Sequence, residues 1–298
     1  MSTDFRSGFV TIIGRPNVGK STLMNRFIGE KIAIVSSKPQ TTRNKIQGVL
    51  TRPGYQIVFI DTPGLHKPKN KLGEYMIKVA RNALEEVEAV LFVVDGKSGI
   101  GYGDEMIIKS LGDLQTPVIA VLNKVDAMSG EDVLGSIDRL KKLWNFEAIV
   151  PTSALHGEGI DDLENLLLDH LPPGPKYFPD DMITDQPERF IIAELIREKA
   201  LDFLRDEVPH GVGIEILGIH KREDKDLLDV EAVIYCERDS HKGIIIGKRG
   251  AMLKQIGQQA RLDMERLLGS PVFLNLWVKV REDWRNKQAI LRTLGYDD

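Results

Sequence analysis

Cysteine is nearly missing from this sequence. Cys236 stands alone, which excludes an internal disulfide and any multi-cysteine metal site. A cytosolic compartment is then the simplest expectation. Long apolar runs are missing too: no stretch approaches the ~20 residues needed to span a bilayer. No leader is expected at the N-terminus, where the polar Met1 to Arg6 precede a strand-like run. Charge of one sign is not in excess. The chain has 40 basic and 44 acidic residues, net −4, so its overall electrostatics announce no nucleic acid. What remains is ordinary globular composition, 42% hydrophobic, over 298 residues, a length that suggests two domains.

The first positive signal is Gly14-Arg15-Pro16-Asn17-Val18-Gly19-Lys20-Ser21. It follows the apolar run Phe9 to Ile13 and opens a helical pattern with Leu23 and Phe27 four apart. That strand–loop–helix context is the one a phosphate-binding loop requires. Glycines at 14 and 19 let backbone N–H groups converge on phosphate oxygens, and the helix N-terminus adds partial positive charge. Lys20 is placed to reach the β- and γ-phosphates, and the Ser21 hydroxyl to bind Mg²⁺.

Four further stretches follow at strand ends. In the polar segment Ser36 to Asn44, Gln40-Thr41-Thr42-Arg43 offers two hydroxyls, either of which could reach Mg²⁺ and sense the γ-phosphate. The run Tyr55 to Ile60 ends in Asp61-Thr62-Pro63-Gly64, where Asp61 is the second Mg²⁺-organising group and the Gly64 N–H faces the γ-phosphate. Ala89 to Asp95 reads as a parallel strand buried on both faces, with Asp95 structural. Pro117 to Leu122 repeats that pattern and ends in Asn123-Lys124-Val125-Asp126. A carboxylate at 126 accepts both guanine N1–H and the 2-amino group, a donor pair that adenine does not present; such sites discriminate by ~10⁴. Asn123 would brace the site and the stem of Lys124 would lie against the base. Ile149 to Thr152 leads to Ser153-Ala154, whose N–H groups are expected at guanine O6. Strands alternating with helices predict an α/β doubly wound, mostly parallel sheet, with the site at the strand carboxyl ends.

Together these stretches resemble the translation-factor-related GTPases, in the branch that holds the Era-like and tRNA-modification families. The resemblance implies that Thr42, before Arg43, is the Mg²⁺ ligand. It also exposes a departure: Leu65 stands where Ras-like proteins carry a water-orienting glutamine, and an alkyl group cannot do that work. Relatives with an asparagine at the position of Asn17 recruit a monovalent cation, which implies K⁺ beside GTP/GDP and Mg²⁺. The expected catalytic set is therefore Lys20, Thr42, Gly64 and Asn17. His66 reads as a solvated loop histidine.

His170 to Lys176 is proline-rich, and Pro179 follows. The expected division is a G domain at 1–172, a stiff spacer at 173–181 and a second domain at 182–298. The second half gives a helical pattern from Pro187 to Glu207 with Phe190, Leu195, Ala200, Phe203 and Leu204 on its apolar face. Two strands, a helix–Gly247-Lys248-Arg249-Gly250–helix unit and a last strand from Pro271 to Val280 follow. This α-β-β-α-α-β order resembles a type II KH domain, whose G-x-x-G loop clamps single-stranded RNA backbone. Lys248, Arg249 and Lys254 would supply charge, and Ile246, Leu253 and Ile256 an apolar cleft beneath the bases. Charge distribution agrees: residues 180–239 carry 8 basic against 17 acidic side chains, whereas 240–281 carry 8 against 2. The tail from Asp283 to Leu294 reads as a short amphipathic helix packed on its own domain.

A G domain followed by a type II KH domain is the Era-like arrangement, and the resemblance runs over essentially the whole chain. It implies a GTPase acting in small ribosomal subunit maturation, with the 3′ end of 16S ribosomal RNA and the 30S subunit as partners. A cytoplasmic monomer with peripheral inner-membrane association is also implied. Thr152 departs from the isoleucine that relatives often place there. Three other readings are weighed: a partner of RNA modification, whose added tRNA-acting domain and C-terminal cysteine this chain lacks; a P-loop kinase, against which Asn123 to Asp126 argue; and a passive RNA-binding module with a structural nucleotide, which a comparison of RNA affinity in the GTP and GDP states would separate from a switch.

Overall fold

The computed structural model describes residues 5–36, 38, 41–64, 68, 70–112 and 114–296. The chain divides into two compact units: Met1–Ala33, Thr42–Lys67 and Met76–Asp185 form the first, and Ile34–Thr41, Pro68–Tyr75 and Gln186–Asp298 the second.

The first unit is built on a six-stranded sheet in the order β2-β3-β1-β4-β5-β6. Its strands are β1 (Arg6–Ile13), β2 (Ile46–Arg52), β3 (Tyr55–Asp61), β4 (Ala89–Asp95), β5 (Val118–Asn123) and β6 (Ala148–Thr152). Only β2 runs antiparallel to its neighbour, joined to β3 by a two-residue turn at Pro53 and Gly54. The continuous apolar runs behave as parallel strands must: every residue of β4 and β5 is buried. Helices α1 (Lys20–Ile28), α2 (Lys71–Asn82), α3 (Tyr102–Leu111), α4 (Gly130–Leu143) and α5 (Ile160–His170) follow their strands in turn. A core of Ile13, Val90, Phe92, Val94, Ile107 and Ala120 fills the space under α3. Full burial of each larger side chain there contributes roughly 1.5–3 kcal/mol. Parallel strand order places the ends of β1, β3, β4, β5 and β6 along one rim, which is where the motifs sit.

The proline-rich stretch does not stand off as a free spacer; it lies along this unit. Pro172 accepts from the Ser7 N–H at 3.2 Å and Phe5 accepts from the Gly174 N–H at 3.0 Å. The Gln56 side chain takes the N–H groups of Tyr177 and Phe178 at 2.9 and 3.0 Å. Further on, Ile183 accepts from the Val49 N–H at 2.9 Å and Thr184 bridges Gly48, which covers the open edge of β2. Prolines remove donors but keep carbonyls, so an extended proline-rich chain still pairs as an acceptor.

The second unit holds a three-stranded sheet, β7 (Gly213–Lys221), β8 (Leu228–Cys236) and β9 (Val272–Val280), with β7–β8 antiparallel and β8–β9 parallel. Helices α6 (Glu188–Phe203), α7 (Asp239–Ile246) and α8 (Ala251–Leu268) supply the rest of the core, in which Leu195, Ala200, Ala232, Ile256 and Met264 meet. Helix α6 is buried nearly all round rather than along one stripe. Glu194, Arg197 and Glu198 are buried with its apolar residues, and Arg197 pairs with Glu194. In the same unit Glu198 accepts from the Val35 N–H at 2.9 Å, and Arg197 donates to the Thr41 carbonyl. The expected tail helix is broken into a single turn at Trp284–Asn286 and a short α9 (Gln288–Thr293). It packs on its own unit as expected: Trp284 is fully buried and its indole N–H donates to the Gly211 carbonyl at 2.9 Å. No helix among the described residues is long and apolar enough to cross a membrane.

Candidate nucleotide site and RNA-binding surface

The phosphate loop leaves β1 at Ile13 and enters α1 at Lys20. Its glycines are obligatory for space as well as for conformation. At Gly14, with φ of 151°, a Cβ would lie 2.4 Å from the Val93 carbonyl oxygen; at Gly19, with φ of 104°, it would lie 2.2 Å from the Asn123 amide. Lys20 is buried and its ammonium donates to the carbonyls of Gly14 and Arg15 at 3.1 and 3.0 Å. Burial lowers its pKa to about 8, opposed by the charge of Asp61.

Ser21, Thr42 and Asp61 converge. The Ser21 hydroxyl lies 2.6 Å from Asp61 Oδ2 and 3.0 Å from the Thr42 hydroxyl, and Thr42 donates to the same Oδ2 at 3.2 Å. The other oxygen, Oδ1, is buried without a hydrogen-bond partner. Burial pushes the Asp61 pKa up, against the opposing pull of Lys20 and the two hydroxyls. Two hydroxyls and a carboxylate with an unused buried oxygen are a hard-oxygen donor set that fits Mg²⁺. The rest of this motif is structural: the Thr62 hydroxyl donates to the Ile12 carbonyl at 2.8 Å, and Pro63 is buried. Gly64 abuts the phosphate loop, since a Cβ there would meet the Pro16 nitrogen at 2.7 Å. Leu65 and His66 lie outside the described residues.

On the base side Asn123 does brace the site. Its amide donates to the Val18 carbonyl at 2.8 Å and accepts from the Ala154 N–H at 3.0 Å. Val18 itself is buried. Lys124 reaches back to the Asn17 carbonyl at 2.8 Å and pairs with Asp95 at 2.7 Å. Asp95 therefore anchors a site residue rather than filling a purely structural place. Burial pushes its pKa up, but the bonds from Lys124 and the Ser98 N–H outweigh it and hold the carboxyl below its ordinary value. Val125 begins a single 3₁₀ turn that carries Asp126, which accepts from the Ser153 hydroxyl at 2.6 Å. The amides expected at O6 are already committed: the Ser153 N–H donates to Glu158 at 3.0 Å and the Ala154 N–H to Asn123.

Two side chains that no pattern announced complete the rim. Asp104, fully buried at the start of α3, pairs with Arg15 at 2.8 Å and accepts from the Gly101 N–H at 2.8 Å; Arg15 also donates to the Gly99 carbonyl at 3.1 Å. Arg26, near the end of α1, donates to the Ala154 carbonyl at 3.1 Å and to the Leu155 carbonyl.

In the second unit Gly247 to Gly250 forms a tight turn between α7 and α8. Gly247 has φ of 73°, and a Cβ would press within 2.7 Å of Met252. Arg249 takes the left-handed conformation at φ of 53°, and both Lys248 and Arg249 are exposed. Beside the turn is a groove of 370 Å³ lined in part by Gly250, Leu253, Lys254, Arg261, Phe273 and Leu276. One expectation needs correcting: Ile256 does not floor the groove but is fully buried in the core, because it sits on the sheet-facing side of α8. Ile246 is half-buried against that core. Phe273 and Leu276 of β9 supply the apolar wall instead.

A phosphate loop on a mostly parallel sheet, an Asn-Lys-x-Asp base site and a following G-x-x-G helix pair define a P-loop GTPase joined to a KH domain. Family models agree: residues 9–124 match the 50S ribosome-binding GTPase model and residues 207–285 the KH domain model. The GTPase Era of Alkaliphilus oremlandii is 61% identical over 98% of this chain and 99% of its own, and that of Clostridioides difficile is 59% identical over 99% of each. A crystal structure of Era in complex with MgGDPNP and nucleotides 1506–1542 of 16S ribosomal RNA superimposes with a TM-score of 0.95 at 42% identity, covering 99% of this chain and 100% of that one. An Aquifex aeolicus Era variant bound to GDP and AlF4⁻ gives the same values. The chain belongs to the Era family of GTPases.

Proposed function

We propose that this chain binds and hydrolyses GTP at the rim of the first sheet. The KH domain then holds single-stranded RNA near the 3′ end of 16S ribosomal RNA during assembly of the 30S subunit. The reading takes 1–172 as the G domain, 173–181 as the connecting segment and 182–298 as the KH domain. The observation that carries it is the cluster of Ser21, Thr42 and Asp61 oxygens at the mouth of the glycine-lined loop. Mg²⁺ held there would neutralise charge between the β- and γ-phosphates. Lys20 is buried at the loop's centre and binds the phosphates by charge. Gly64, packed against Pro16, presents its N–H where the third phosphate would reach. Asn123 and Asp126 select guanine.

Thr42 also gives the reading its switch. Thr41, which immediately precedes it, belongs to the second unit, where its carbonyl accepts from Arg197 on α6, so ordering of Thr42 by nucleotide and the state of Thr41 are joined by one peptide bond. RNA affinity is then governed by the bound nucleotide. Asn17, in the left-handed conformation at φ of 65°, recruits K⁺ in place of the missing glutamine. The protein acts as a cytoplasmic monomer that associates peripherally with the inner membrane.

The test is phosphate release from GTP by the full chain in K⁺ or Na⁺ buffer, with and without Mg²⁺. It is paired with binding of a 3′-terminal 16S RNA fragment in the GDP- and GDPNP-loaded states. Turnover should need Mg²⁺ and run faster in K⁺, and RNA affinity should differ between the two nucleotides. Equal RNA affinity in both states would leave a passive RNA-binding module instead.

A further inference from the structure

Helix α6 carries its buried charges on one face. Glu194, Arg197 and Glu198 stand at i, i+3 and i+4, and all three are buried. The Arg197 fork closes on Glu194: Nε donates to Oε1 at 2.7 Å and Nη2 to Oε2. Nη2 also donates to the Thr41 carbonyl. Glu198, braced by Lys199 at 2.8 Å, accepts from the Val35 N–H at 2.9 Å. The helix therefore grips the segment Ile34–Thr41 near both ends, and it grips backbone. The Thr41 hydroxyl turns back within the segment, to the Lys38 carbonyl at 2.6 Å.

Stability alone does not call for an ion pair here. Burying two charges costs about as much as their attraction returns, and an apolar pair of similar volume is often as stable or more so. An apolar pair, however, cannot donate to a carbonyl. The planar fork gives that donation a direction. The Nε–H and one Nη2 hydrogen are spent on Glu194, so the second Nη2 hydrogen points in a fixed direction, at Thr41. The Thr41 carbonyl and the Thr42 N–H belong to one planar peptide. Holding that carbonyl sets the plane from which Thr42 departs, and the Thr42 hydroxyl is one of the oxygens gathered at Asp61.

We propose that Arg197 is a positioning residue for GTP hydrolysis, which sets the Thr41–Thr42 peptide and through it the Mg²⁺-binding hydroxyl of Thr42. The proposal rests on the reading of Ser21, Thr42 and Asp61 as the Mg²⁺ site. Its rival is an ion pair that only holds α6 in its core. The two differ in whether the third phosphate is felt when Arg197 is lost, since Thr42 serves GTP and not GDP.

The experiment uses the full chain and measures melting temperature, GDP and GDPNP affinity in Mg²⁺, and turnover of GTP. Glu194→Leu with Arg197→Met removes the donor without leaving a buried charge unpaired. This double variant should bind GDP as wild type does, bind GDPNP about tenfold more weakly and turn over about tenfold more slowly, the scale of one hydrogen bond to a charged group. Arg197→Lys, which keeps a cation beside Glu194 and a donor for Thr41, should lie between the two. Thr42→Ala should show the same selective loss, and adding the double substitution to it should cost nothing further, because Arg197 acts through Thr42. Unchanged GDPNP affinity and turnover in the double variant, equal loss of GDP and GDPNP affinity, or losses that add in full to those of Thr42→Ala would each overturn the proposal. If the double variant does not fold, Arg197→Lys decides: wild-type turnover and GDPNP affinity with a lowered melting temperature leaves only the structural pair. If Thr42→Ala itself keeps GDPNP affinity and turnover, the Mg²⁺ reading falls and the proposal with it.

Discussion

Asn123 commits both ends of its side-chain amide to the protein, one to the Val18 carbonyl and one to the Ala154 N–H. It thereby joins the phosphate loop to the loop beside the base through a single residue at the end of β5. Each such bond is worth ~0.5–1.5 kcal/mol net, and leaving the buried partners unsatisfied costs more. Asn123→Ala should therefore weaken GDP and GTP binding together by about tenfold or more, with the melting temperature reduced far less than the affinity. Titration with a fluorescent guanine nucleotide checks this, and unchanged affinity would show that the brace is idle. Residues of this kind divide sharply by legibility. Lys20, Asp61, Asn123 and Asp126 stand at strand or helix ends in fixed spacing because phosphate, Mg²⁺ and guanine each demand one side-chain chemistry. Asp95, Asp104 and Arg26 serve other residues, not the ligand. Their roles come from which side chain the fold brings alongside, and no local pattern encodes that.

At the scale of elements the apolar runs of β4 and β5 were readable because burial on both faces leaves no room for alternation. Strand β2 was not. Ile46–Arg52 contains Gly48 and three polar residues, Gln47, Thr51 and Arg52, and it forms a strand because β3 offers it an edge. The β2–β3 hairpin is fastened to α5 by a contact that can be titrated. Tyr55 on β3 donates its hydroxyl to Glu164 on α5, which also pairs with Arg52 at 3.3 Å. Burial first, and then the bond to Glu164, raise the Tyr55 pKa to about 12 from the ordinary 10.0. The sign follows: a folded pKa above the unfolded one means the neutral phenol is favoured by folding. Its contribution is fully present below pH 10 and is lost as pH rises toward 12. Alkaline absorbance titration should show tyrosinate forming near pH 12, and Tyr55→Phe should reduce that amplitude by one tyrosinate, leaving the part due to Tyr235, which burial and Glu215 also push up. An unchanged amplitude would show that the fastening is no stronger than an exposed contact.

At the scale of the whole molecule the chain repeats one device with two ligand classes. In each unit a glycine-bounded turn opens a helix, α1 in one and α8 in the other, and a basic side chain stands at the turn. The surroundings differ. Lys20 is buried at the rim of a parallel sheet, where a compact polyphosphate can be enclosed. Lys248 and Arg249 are exposed beside an open groove, where an extended strand can pass. Overall net charge of −4 conceals this, because the acidic stretch 180–239 offsets the basic stretch 240–281. Exposed phosphate contacts act through released counterions, so their loss is read in salt dependence as well as in affinity. Lys248→Asp with Arg249→Asp replaces two positive charges at the turn by two negative ones, a change of four units, without touching the core. Binding of a 16S 3′-end RNA fragment should then be lost at moderate salt. At low salt, any remaining binding should show a log–log slope reduced by about 2, one for each phosphate contact removed. GTP affinity and turnover without RNA should be those of the wild type, because neither side chain belongs to the nucleotide rim. RNA binding that persists with an unaltered salt slope would move the RNA surface away from this turn, and the groove beside α8 would need another ligand.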